Sequence, residues 1–124
     1  MTTISVIPGA AIPDAAIPDA SRTTLVGVAT GTPDGGVAIV RVSGPRAAVV
    51  LAGLGVADPP APRRLVRRLL ALADGQREDG LVAWMPGPAS FTGEDVVELH
   101  VHAGERNVRA VVEACLRSGA CLLY

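Results

Sequence analysis

Residues 96–119 read VVELHVHAGERNVRAVVEACLRSG. The spacing of apolar residues changes inside this stretch. From Val96 to His102 it is two, which places Val97, Leu99 and Val101 on one side of a strand and Val96, Glu98, His100 and His102 on the other. From Glu105 onward it follows the helical period. Val108, Val111, Val112, Cys115 and Leu116 make an apolar stripe, opposite Arg106, Arg109, Glu113 and Arg117. Gly119 is a natural stop, and CLLY after it begins another strand. One side of the strand carries an acid and two imidazoles, for which core packing offers no reason.

Working back from this unit, PGPASFTGED (86–95) is a turn-rich loop, LVAWM (81–85) a strand and DGQREDG (74–80) a polar turn. RRLVRRLLALADG (63–75) fits an amphipathic helix or a strand on pattern alone. ADPPAP (57–62) ends a helix that starts at Ser43-Gly44-Pro45, with Ser43 as its cap. Ala47, Val50, Leu51 and Leu54 share the apolar face of that helix. VAIVRVSG (37–44) and TLVGVAT (24–30) are strands joined through the turn GTPDGG (31–36), as in a hairpin. Residues 1–22 repeat AIPDA in tandem and show no apolar period, which marks a flexible extension before a domain at 23–124. The expected fold is α/β (α+β), with a mixed sheet and helices packed on one face.

The chain has 124 residues, 49% hydrophobic and 19% charged, enough for one globular domain. Its net charge of −1 argues against a nucleic-acid footprint spread over the whole domain. Arg63, Arg64, Arg67 and Arg68 form a local basic cluster, read as a solvated face or an RNA contact. No apolar run is long enough to span a bilayer and the start lacks signal-peptide character, so a cytoplasmic protein without membrane association is expected. Cys115 and Cys121 read as free thiols, with a single disulfide as the other reading. His-x-His with these cysteines matches no common zinc spacing, so no metal is expected. No phosphate loop or nucleophile elbow occurs.

The strand VAIVRVS sets Ala38, Val40 and Val42 on one side and Val37, Ile39, Arg41 and Ser43 on the other. Each of the two strands thus carries one strong charge at its centre, Arg41 and Glu98. Two readings stand on the residues alone: a solvated face or cross-strand pair, and a ligand site on an uncovered sheet face.

TLVGVATGTPDGGVAIVRVSGPRA, the Arg-rich stretch before the DG turn, LVAWMPGPASFTGEDVVELHVHAG and VVEACLRSGA occur in this order over about residues 23–123. In these segments the chain resembles the N-terminal domain of the TrmE (MnmE) family of tRNA-modification GTPases. The resemblance implies a fold related to the folate-binding domain of the glycine-cleavage T protein. It implies binding of a 5-formyl-tetrahydrofolate-type one-carbon donor and homodimerisation. It further implies work with an MnmG-type partner on the wobble uridine of tRNA, with tRNA reached only through the full complex. Matched motif by motif, it makes Arg41 of VRVSG and Glu98 of VVELH folate contacts, and makes 63–75 a strand paired with LVAWM. Val101 and Ala103 stand where the family has glycine. The family's next segment, with a lysine of the folate site, and its helical and GTPase domains would follow Tyr124.

Overall fold

The computed structural model describes residues 23–29, 36–90 and 92–122. The extension 1–22 and most of the turn 31–36 lie outside the described residues. Within them, β1 (Leu25–Val28) and β2 (Val37–Ser43) lead into α1 (Ala47–Gly53). β3 (Leu65–Ala71), β4 (Arg77–Met85) and β5 (Val96–His102) follow, then α2 (Glu105–Arg117) and β6 (Cys121–Leu122). The strands form one sheet in the order β3-β4-β5-β2-β1-β6. Every neighbouring pair is antiparallel except β1 and β6, which run parallel. The sheet is therefore mixed, as expected.

Alternation along the strands decides where the core lies. Val26, Val40, Val42, Val82, Val97, Leu99 and Val101 face one side, where α1 and α2 cover them. α1 contributes Ala47, Val50 and Leu51, and α2 contributes Val108, Val111, Val112 and Cys115. At seven residues α1 is too short to persist alone, so burial of its apolar face holds it. Among the described residues the core is aliphatic, apart from Cys115 and, at its margin, Trp84.

The segment 63–75 forms strand β3 and pairs with β4 from Leu65↔Ala83 to Ala71↔Arg77. The polar turn is shorter than expected. A 3-10 turn at Ala73–Gly75 makes the reversal, and Arg77–Gly80 already belongs to β4. Ser43 does not cap α1. It is the last residue of β2, and its hydroxyl meets Thr92 Oγ1 at 2.8 Å. The start of α1 is served instead by Thr24, whose Oγ1 accepts the Arg46 N–H at 2.8 Å. No helix among the described residues is long and apolar enough to cross a membrane.

Candidate functional site

The side of the sheet away from the helices carries Arg41, Glu98, His100, Arg67 and Asp79. Arg41 and Glu98 are direct cross-strand partners in the β2–β5 ladder. Arg41 donates from Nε (3.1 Å) and Nη2 (2.7 Å) to the same carboxylate oxygen, Glu98 Oε2. The other oxygen, Oε1, lies 3.2 Å from His100 Nε2, two residues along the same face. A carboxylate oxygen has two lone pairs. Oε2 is thus filled by Arg41, whereas Oε1 keeps one acceptor position among the described residues. The side chains of Arg41 and Glu98 are 31% and 19% exposed, so the pair is partly desolvated yet reachable.

Burial raises the Glu98 carboxyl, but the hydrogen bonds from Arg41 and His100 outweigh it, and its pKa lies below the ordinary value of 4.5. A depressed carboxylate stabilises the fold above its unfolded pKa and loses that contribution as pH falls through the folded value. Glu98→Gln is therefore expected to cost about 1 kcal/mol at pH 7 and progressively less below about pH 4.5. Thermal melts of both proteins from pH 7 to pH 3 measure this; a constant gap would show that the ion pair adds nothing to stability.

The loop 86–95 borders the pair. Val96 faces away from the helices yet is fully buried, and Ala83 on the same side is nearly so. The Ser43–Thr92 contact draws the loop over this end of the sheet. Asp95 Oδ1 accepts the Gly87 N–H at 2.9 Å, and Asp95 O accepts the Gly44 N–H at 2.9 Å. Arg63 Nη2 donates to Ala89 O at 2.7 Å. Within the loop, Glu94 Oε2 is buried and has no hydrogen-bond partner among the described residues. Beyond the pair in the other direction lies a hollow of about 410 Å³, lined on this side by Val37, Arg67, Asp79, Leu81, His100 and His102.

The basic cluster does not form one patch. Arg67 points to the open side and pairs with Asp79, while Arg68 turns to the other side and donates to Arg67 O. The pairing lowers the pKa of Asp79. Cys115 is buried and Cys121 exposed, both free; burial pushes the Cys115 thiol up to about 12, which makes it an inert core residue. Among the described residues no three His, Cys, Asp or Glu side chains cluster as a metal site. Val101 and Ala103 pack toward the core, so neither projects onto the open face.

Sequence reasoning missed Glu78. It is buried, and its Oε2 accepts from both the backbone N–H (2.7 Å) and Nδ1 (2.8 Å) of His102. The sequence offered little signal for it, because REDG (77–80) carries no apolar side chain and reads as turn.

Residues 24–122 match the family model described as the N-terminus of the GTP-binding protein TrmE. The chain belongs to this family. It is 46% identical over 92 residues to the tRNA modification GTPase MnmE of Rhodopseudomonas palustris strain BisB18, covering 73% of the chain and 20% of that protein. It is 50% identical over 93 residues to MnmE of R. palustris strain CGA009, covering 74% and 21%. With MnmE of Xanthomonas campestris pv. campestris strain B100 it shares 38% over 100 residues, covering 81% and 22%. The TrmE-type domain described above thus spans about a fifth of the length of these relatives.

Proposed function

We propose that this TrmE N-terminal domain binds a reduced folate of the 5-formyl-tetrahydrofolate type on its open sheet face, as part of a homodimeric tRNA wobble-uridine modification GTPase acting with an MnmG-type partner in the cytoplasm. The observation that carries the ligand reading is the Arg41–Glu98–His100 arrangement. It fixes a carboxylate on a sheet face between the Ser43–Thr92 contact and a hollow, and leaves Oε1 an acceptor position among the described residues.

A pterin presents an amino group and a ring N–H side by side, and a carboxylate matches both. In this domain one such N–H fits the remaining position on Glu98 Oε1. The second takes the place of a donor from Arg41 or His100, and Arg41 then turns to a ligand carbonyl or carboxylate. The folate supplies the one-carbon unit. The residues here bind and orient it.

The homodimer reading rests on family membership and on Leu65 and Leu69. These two leucines of edge strand β3 are 53% and 55% exposed on the open side, and a second copy of the chain would bury them. A second reading, a dimerisation module without ligand, is favoured by the same pair of leucines, since Arg41 and Glu98 also satisfy each other. Calorimetric titration with 5-formyl-tetrahydrofolate separates the two. The parent domain is expected to bind, and Glu98→Gln and Arg41→Ala are each expected to weaken binding by about 1–3 kcal/mol. Unchanged affinity in both variants would reduce the pair to a structural role.

A further inference from the structure

The hollow beside the Arg41–Glu98 pair has a polarity of its own. Val37 and Leu81, 59% and 40% exposed, give it apolar walls. His100 belongs to both places: it lines the hollow and reaches Glu98 Oε1 through Nε2. The two are therefore parts of one continuous surface, one register step apart along β5.

His102 is the hollow's most defined polar group. Its Nδ1 lies 2.8 Å from Glu78 Oε2, and a carboxylate has no proton to give, so Nδ1 carries the hydrogen. Glu78 is held in place by its bond to the His102 backbone N–H, and it is buried, so the orientation is fixed from beneath. In the neutral ring Nε2 is then an acceptor. The His102 side chain is 72% exposed at the hollow, so that acceptor is accessible. Arg67 and Asp79 at the rim neutralise each other. An apolar-walled, net-neutral hollow with a fixed acceptor suits a flat, uncharged group bearing an N–H.

We propose that this hollow is the second half of the ligand face, taking an aromatic N–H-bearing segment of the ligand, with His102 Nε2 as hydrogen-bond acceptor and Glu78 as the residue that positions it. The inference rests on the folate reading, in which the heterocycle lies at Glu98. The part of a reduced folate next to its pterin is an aminobenzoyl group, a flat ring with N–H donors. A volume of about 410 Å³ lies within the usual range for small-molecule sites.

The test uses two probes at pH 8, 5-formyl-tetrahydrofolate and a reduced pterin lacking the aminobenzoyl tail, titrated calorimetrically into the full chain. In His102→Asn the amide nitrogen can replace Nδ1 toward Glu78 while the Nε2 acceptor is lost. This variant is expected to bind the folate about 10-fold more weakly and the pterin like the parent. Leu81→Ala, which truncates an exposed wall and leaves Glu78 and His102 intact, is expected to show the same selectivity. Glu98→Gln should weaken both probes. If both His102→Asn and Leu81→Ala bind the folate like the parent, or weaken both probes equally, the hollow is not the tail's subsite, although the folate reading stands. If the parent binds neither probe, the folate reading fails and this inference with it.

Discussion

Gly44→Ala is expected to destabilise the domain by about 3 kcal/mol or more. Gly44 joins β2 to α1 at φ +145°, a backbone conformation that side chains disfavour. An added Cβ would also lie 2.5 Å from the Thr24 Cα and 2.7 Å from the Thr23 carbonyl oxygen. Both are backbone atoms of the neighbouring segment, so no rotamer change relieves the clash. Thr24 would have to move away, taking with it the hydroxyl that serves the start of α1. Gly36→Ala is the control, because a Cβ there meets nothing within 4 Å. Urea unfolding compares the two; equal midpoints would mean that the Gly44 junction is not tightly packed.

Leu99→Ala should be nearly as damaging, at about 3 kcal/mol. Leu99 is 1% exposed at the middle of β5, between Val40 of β2 and Val82 of β4, on the side the helices cover. Rigid strands on both flanks hinder collapse of the cavity left behind, which places the cost well above the transfer term alone. Leu81→Ala, one strand over but on the open side, should cost less than about 1 kcal/mol. Chemical denaturation of both variants gives the comparison. A Leu99 variant no weaker than the Leu81 variant would contradict the assignment of the two sheet faces.

The sheet faces were legible because β2 and β5 are central strands with different surroundings on their two sides. Apolar residues collect on the helix side, and Arg41 and Glu98 were left as the odd pair on the other. β3 was ambiguous for the opposite reason. It is an edge strand, wet over much of both sides, so the adjacent Arg67 and Arg68 occupy opposite faces and blur the two-residue period. Glu78 was read as part of a turn because a buried acid looks like a loop residue until its partner is known, and that partner, His102, is 24 residues away. The Ser43 hydroxyl was free to serve either α1 or the loop, and only the fold could decide between them. The sequence likewise held no sign of the Ser43–Thr92 contact at this end of the sheet.

Thr24 joins three elements by hydrogen bonds. It leads into β1, its hydroxyl accepts the Arg46 N–H at the start of α1, and its carbonyl accepts the Cys121 N–H of β6. The amides of Arg46 and Cys121, 75 residues apart by number, therefore share one protecting residue. Local opening where β6 and the start of α1 meet β1 should release both together. In native-state hydrogen exchange their opening free energies should coincide, below those of Val40 and Leu99 at the centre of the sheet. The β6–β1–α1 corner is thus expected to open as one unit while the centre of the Arg41–Glu98 face stays closed.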